Sequence, residues 1–202
     1  MLTRLEVDGF KNLLGLHVDF GPFTCIAGTN GVGKSNLFDA IHFLALLADL
    51  PMMEAAQRVR SVGAQGGGHE AANGDPLELF WTDGERRADT IRFAVEMITP
   101  PLVRDDFGRD VTPTITFLRY ELELGYEPPA GLAHLGRLVL KRESLNHINH
   151  TDAPQHLRFP HSAKHFRRAV LNGRRSGAAF ISTLIESDTP TIYIHQDGGS
   201  RG

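Results

Sequence analysis

The hydrophobic pattern divides the chain into a short N-terminal part and a longer part with alternating residues. Residues 2–7 (LTRLEV) and 14–20 alternate like short strands, with the turn signal Asp8-Gly9 after the first of them. Residues 23–27 (FTCIA) are continuously apolar, which is typical of a buried central strand. From Leu37 onward, apolar residues recur at helical spacing and predict an amphipathic helix that continues, with a kink or break at Pro51, to about residue 60.

Residues 61–76 are a Gly-rich, polar stretch, which we interpret as a flexible loop. After it, hydrophobic residues recur at every second position. Apolar and charged residues then alternate, which favours antiparallel strands with one solvated face. The predicted strands are residues 90–98, 114–124 and 136–145. Residues 163–171 and 177–186 are predicted to form short helices.

Composition narrows the class of protein. The chain has 202 residues, a hydrophobic fraction of 41% and a net charge of −3, which are ordinary values for a globular protein. It contains no apolar run long enough for a membrane span, no signal-peptide pattern and a single cysteine, Cys25, so we interpret it as cytoplasmic with no membrane partner. Charge is distributed unevenly, because residues 153–185 contain six Lys or Arg and no acid.

The candidate chemistry lies in residues 28–35, where GTNGVGKS fits the phosphate-binding pattern G-x-x-x-x-G-K-[ST]. The loop follows an apolar run and opens an amphipathic helix, the context that this motif requires. Glycines let successive backbone N–H groups face the phosphates, and the helix N-terminus adds its positive dipole. The pattern assigns Lys34 to the β- and γ-phosphates and Ser35 to Mg²⁺, as the candidate catalytic residues. The candidate nucleotide contacts of the loop are Gly28, Thr29, Asn30, Gly31, Val32, Gly33, Lys34 and Ser35. Because the sequence lacks the Asn-Lys-x-Asp element that reads guanine, we predict MgATP as the ligand.

The same region carries a family resemblance. The segments LEVDGFKN (residues 5–12) and FTCIAGTNGVGKSNLFDAIHFL (residues 23–44) resemble the start of RecF/SMC-like ABC ATPase heads. This match covers about the first fifty residues closely. Residues 140–145 (LKRESL) loosely resemble the predicted AAA-type ATPases of bacterial DNA repair and anti-phage defence systems.

The resemblance implies an α/β fold of the P-loop NTPase class, an ABC-ATPase-like N-terminal lobe with an antiparallel β subdomain. It implies a homodimer of heads joined head to tail around two bound ATP molecules. It also adds Lys11, Asn12 and Asn36 to the nucleotide contacts. The expected units are an ATP-binding lobe at residues 1–60, a flexible loop at 61–76, a β subdomain at 77–150, and a basic, partly helical segment at 151–202 that leads to a second half of the head.

The sequence departs from the family pattern after Ser35. Such heads need a strand that ends in Asp-Glu, a serine-rich signature segment and a switch histidine, and none of these is recognisable. Residues 192–197 (IYIHQD) come nearest, and Gln196 is a candidate for a glutamine that senses Mg²⁺. We therefore interpret the sequence as the N-terminal portion of a longer protein.

Three functions stay open at this point. The first is an ATPase whose hydrolysis drives a conformational switch in a DNA-repair or phage-defence complex. The second is an ATP-sensing module that does not hydrolyse ATP and regulates an effector such as a nuclease. The third is a P-loop kinase or other transferase. The basic segment is a candidate DNA contact through Lys164, Arg167, Arg168, Arg174 and Arg175.

Overall fold

A computed structural model describes residues 1–63, 75–104, 107–131, 135–173, 177, 179–187 and 189–195. Within this part of the chain, seven strands form one antiparallel sheet in the order β2-β1-β3-β6-β7-β8-β9. Strands β4 and β5 form a separate hairpin between β3 and β6. The strands are β1 Leu2–Asp8, β2 Leu16–Asp19, β3 Thr90–Ile98, β4 Val103–Arg104, β5 Asp110–Val111, β6 Phe117–Glu127, β7 Arg137–His147, β8 Ile181–Glu186 and β9 Thr189–Ile194.

Helices cover one face of the sheet and a small helical segment lies against the other. The helices are α1 Lys34–Leu46, α2 Met52–Gly63, α3 Ala153–His156 and α4 Arg168–Val170. A 3₁₀ turn at Pro76–Leu79 and a π-helical turn at Ala163–Arg167 complete the described helical structure. Among the described residues, no helix combines the length and the apolar character needed to cross a membrane.

The main core lies between α1, α2 and the inner face of β1, β3 and β6. Three fully buried or nearly buried rings hold α1 to the sheet: the ring centroids of Phe10, Phe43 and Phe93 lie 5.4–6.1 Å apart. Burying each such side chain stabilises the fold by about 1.5–3 kcal/mol. This contact holds the C-terminal part of α1 against the sheet beside the end of β1.

The outer face of the same sheet carries a network of charges. The Arg119 guanidinium donates to Glu6 at 3.2 Å, to Glu96 at 3.0 Å and to Glu121 at 2.9 Å. Glu96 is fully buried, and its Oε1 also lies 2.9 Å from Nδ1 of His156. Because His156 belongs to α3, this carboxylate links the segment after β7 to the sheet.

The structure confirms the mixed α/β class with a large antiparallel sheet, and it confirms the three alternating segments as β3, β6 and β7. Two element predictions are wrong. Residues 23–27 form no strand, Phe23 is 89% exposed and Cys25 is exposed, because this segment pairs with no strand of the described sheet. Residues 181–186, predicted as helix, form β8, because their β-branched side chains pair with β9. Of the predicted flexible loop, residues 64–74 lie outside the described residues.

Candidate nucleotide-binding site

The loop between β1 and β2 forms one wall of the site. Phe10 and Leu13 exchange two backbone hydrogen bonds of 3.1 and 2.7 Å, which close a tight turn around residues 11 and 12. The Lys11 N–H donates to the Leu79 carbonyl at 2.7 Å, so the 3₁₀ turn holds this loop from behind. The side chains of Phe10 and Leu13 are buried, which leaves Lys11 and Asn12 to face α1.

The phosphate-binding loop and the first turn of α1 form the floor. Gly31 and Gly33 have φ values of 87° and 101°, in the left-handed region that favours glycine. Gly33 caps α1, which begins at Lys34, and its carbonyl accepts from Leu37 N–H at 2.9 Å. The first turn carries no acidic residue. The unpaired N–H groups and the positive dipole of this helix end are therefore open to an anion.

Lys34 lies across the loop. Its Nζ donates to the Gly28 carbonyl at 2.7 Å and to the Thr29 carbonyl at 2.6 Å. These neutral carbonyls accept from the ammonium group, which the motif assigns to phosphate oxygens. A polyphosphate at this position would therefore bind to this cation and to the backbone amides of the loop. Ser35 is exposed at the same helix end, where its hydroxyl suits a divalent cation bound with the phosphates. This donor set fits a nucleoside triphosphate with Mg²⁺.

Two side-chain pairs fasten the β1–β2 loop to α1. Asn36 Nδ2 donates to Asn12 Oδ1 at 2.7 Å. Lys11 Nζ donates to Asp39 Oδ2 at 2.6 Å, and these two side chains are only 16% and 13% exposed. The structure thus brings the loop residues, Asn36, Asn12 and Lys11 into one place.

One predicted residue lies outside the described part of the chain, one pairs with a carboxylate, and that carboxylate was not predicted. Gln196, the candidate Mg²⁺ sensor, lies outside the described residues. Lys11 lies beside the site, but its ammonium group pairs with Asp39. Sequence reasoning missed Asp39, although its position four residues after Ser35 places both on one face of α1. That spacing is the signal that identifies it.

The candidate DNA contact lies on the other face of the sheet. Phe166 packs edge-to-face on Phe159 at 5.4 Å, and Thr116 donates to the Val170 carbonyl at 2.9 Å. These contacts hold the π-helical turn and α4 over a second, smaller core. Lys164 and Arg168 are exposed there, and Arg167 is half-buried. Arg174 and Arg175 lie outside the described residues.

Several known proteins are similar in sequence to the N-terminal part of the chain. Residues 4–95 match the model of the AAA domain family. The chain is 31% identical over 84 residues to the DNA replication and repair protein RecF of Phocaeicola vulgatus, a match that covers 40% of this chain and 23% of that protein. It is 56% identical over 46 residues to structural maintenance of chromosomes protein 1 of Schizosaccharomyces pombe, a match that covers 21% of this chain and 4% of that protein.

Among solved structures, the chain overlaps an SMC ATPase studied for ATP-driven dimerisation and DNA-stimulated activation, with a TM-score of 0.42 and 21% identity over 72% of this chain and 69% of that one. The family and sequence matches confirm the predicted resemblance. The N-terminal portion of the chain is therefore similar to an AAA domain and to segments of RecF and SMC proteins. The chain covers about a quarter of the length of the RecF relative.

Proposed function

We propose that this chain is the nucleotide-binding part of a RecF/SMC-like ATPase that acts in DNA repair or chromosome maintenance, and that it binds MgATP at residues 28–35. The observation that carries the proposal is the arrangement at the start of α1. There an acid-free helix N-terminus, two left-handed glycines and the Lys34 ammonium group converge on one exposed loop.

Each group has a defined task. The backbone N–H groups of the loop donate to the phosphate oxygens, and Lys34 exchanges the Gly28 and Thr29 carbonyls for the β- and γ-phosphates. Ser35 would hold Mg²⁺ together with the phosphates, and the ion would neutralise the charge that develops on the γ-phosphate. Asn12, held by Asn36, closes the side of the loop next to α1.

Hydrolysis needs a carboxylate that positions the attacking water, and the sequence contains no recognisable Asp-Glu strand. We propose that turnover takes place in a complete, dimeric head, in which groups outside these 202 residues supply that carboxylate and a signature segment. ATP binding closes two heads and hydrolysis releases them, so the nucleotide acts as a switch. Within this reading, residues 1–60 and 77–150 belong to one lobe, because β1 pairs with β3 along six residue positions.

The binding claim is tested by isothermal titration of MgATP into the chain and into Lys34→Ala, with Lys141→Ala as the control. Lys141 is an exposed lysine on β7, away from the loop. We expect wild type and Lys141→Ala to bind alike and Lys34→Ala to lose at least tenfold in affinity, because a charge-assisted hydrogen bond contributes about 1.5–3 kcal/mol. Equal binding by all three proteins would contradict the assignment of the loop.

Turnover by the same proteins tests whether the chain contains its own catalytic carboxylate. Binding without turnover fits a head whose catalytic carboxylate lies outside the chain. Lys34-dependent turnover by the purified chain would show that it contains its own catalytic carboxylate, and the ABC-type mechanism would then be wrong.

We propose further that the exposed cations after β7 contact DNA. The RecF relative is a DNA replication and repair protein, and Lys164 and Arg168 are exposed on a segment that a hydrogen bond from Thr116 to Val170 holds on the sheet. Lys164→Gln with Arg168→Gln should weaken binding to duplex DNA and reduce the slope of log K against log salt by about 1–2. Lys141→Gln with Arg86→Gln removes the same charges from another surface, and an equal effect of that pair would refute a local contact.

A further inference from the structure

Lys11 and Asp39 form an ion pair that is short and largely shielded from solvent, although Lys11 lies in a loop. The two charged atoms lie 2.6 Å apart, and about five-sixths of each side chain is removed from solvent. Most ion pairs of the described residues are more exposed, such as Arg137 with Glu127 at 69% and 47%. A shielded pair is weakened little by salt and holds its two side chains in one geometry.

The backbone conformation of Lys11 directs its side chain toward Asp39. Its φ is 50°, a left-handed value that is uncommon for a residue with a side chain. The hydrogen bond from its N–H to the Leu79 carbonyl fixes that conformation, and its Nζ lies 5.7 Å from the centre of the Phe10 ring. Unfavourable backbone conformations persist where the surroundings hold them, and they concentrate at functional positions. The strain aims the Lys11 side chain at α1.

Asp39 lies one turn along α1 from the groups that would bind the nucleotide. It follows Ser35 by four residues on the same helix face, a rise of about 6 Å. The ammonium group of a lysine sits on a flexible four-carbon stem, so Lys11 can move by this distance without a change in the backbone.

We propose that Asp39 is a positioning residue that holds Lys11 beside the phosphate-binding loop and neutralises it until a nucleotide phosphate competes for its ammonium group. This inference rests on the proposed function. Lys34 is held by two neutral carbonyls, whereas Lys11 is held by a carboxylate. Release of Lys11 therefore costs more, and the ligand with more negative charge gains more from it. Because the triphosphate gains more from a freed Lys11, the Asp39 carboxylate weakens triphosphate binding more than diphosphate binding.

The test is a double-mutant cycle on nucleotide affinity. MgATP and MgADP are titrated into wild type, Asp39→Asn, Lys11→Gln and the double variant, with Asp49→Asn as the control. Asp49 is exposed beyond the end of α1, and its change removes the same charge. We expect Asp39→Asn to tighten MgATP about fivefold and MgADP about twofold, because the freed Lys11 meets the phosphates without a competing carboxylate. In the Lys11→Gln background, the same substitution should change neither affinity by more than about 1.5-fold.

The outcomes separate this inference from the function it rests on. If wild type binds MgATP but Asp39→Asn weakens binding, or acts equally with and without Lys11, the role of Asp39 is refuted and the nucleotide site stands. If wild type does not bind MgATP, both are refuted. A measurement that keeps both Lys11 and Asp39 in place covers the case in which Asp39→Asn does not fold. The ¹³C-methyl resonance of reductively methylated Lys11, assigned with Lys11→Gln, should shift on saturation with MgATP, and an unchanged resonance would overturn the proposal.

Discussion

Alanine in place of Gly33 is the substitution that tests the phosphate-binding loop most sharply, because Gly31 supplies a matched control. Both glycines have left-handed φ values, 101° and 87°. A Cβ atom on Gly33 would lie 2.8 Å from Oδ1 of Asn12 and 3.2 Å from Cδ2 of Leu13, whereas one on Gly31 would meet nothing within 4 Å. Gly31→Ala therefore carries only the conformational cost, and Gly33→Ala also displaces Asn12.

The two costs have different sizes. A residue with a Cβ in the left-handed region costs about 1–2 kcal/mol. Displacing Asn12 breaks its hydrogen bond with Asn36, which costs about 1 kcal/mol more. If these costs reduce the population of the binding conformation, MgATP affinity should fall about 5- to 30-fold in Gly31→Ala and about 30- to 150-fold in Gly33→Ala.

The assay is titration of MgATP into the three proteins, with a thermal melt of each to show that the fold is intact. The loop is exposed, so we expect only small shifts in melting temperature. Equal losses in the two variants would refute the role of Asn12 as the wall of the site. Unchanged affinity in both would refute the loop as the phosphate site.

Three further substitutions test the packing and charge of the sheet. Glu96→Ala removes a fully buried carboxylate that accepts from Arg4 and Arg119 and lies 2.9 Å from Nδ1 of His156. It should cost about 3–5 kcal/mol in urea unfolding, against less than about 1 kcal/mol for the partly exposed Glu123→Ala. Phe43→Ala should cost about 3–5 kcal/mol in the same assay, since that ring is fully buried between two others. Burial alone raises the pKa of Glu121, but hydrogen bonding and charge from Arg119 outweigh it and leave the pKa below its usual value. The stability from the Glu121–Arg119 pair is therefore present above the unfolded-state pKa of about 4.3 and is lost as pH falls through the lower, folded-state pKa. Glu121→Gln should therefore make the loss of stability with falling pH less steep. A loss as steep as that of wild type would contradict this.

The sequence pattern predicted those helices and strands whose formation depends on residues close together in the chain. The alternation in residues 90–98 places Ile91, Phe93 and Val95 inward, and β3 forms there because its inner face meets α1. The helix after the loop was predictable because its glycines, lysine and apolar stripe all fit one motif.

The wrong predictions concern residues whose structure depends on partners. The apolar run FTCIA reads as a buried strand, yet an apolar run becomes a strand only where other strands pair with it, and here Phe23 stays exposed. Residues 181–186 carry no strong period, and their pairing with β9 decides their structure. The contact of Lys11 with Asp39 joins residues 28 apart, so only the folded chain shows it.

The central claim is that residues 28–35 bind the phosphates of MgATP. The most direct measurement is the change of backbone amide NMR shifts on titration with MgATP, with Mg²⁺ alone as the reference. Our account predicts the largest shifts at Gly31, Gly33, Lys34 and Ser35, where the amides meet the phosphates, and their loss in Lys34→Ala. Saturable shifts confined to another surface, with these four amides unmoved, would contradict it.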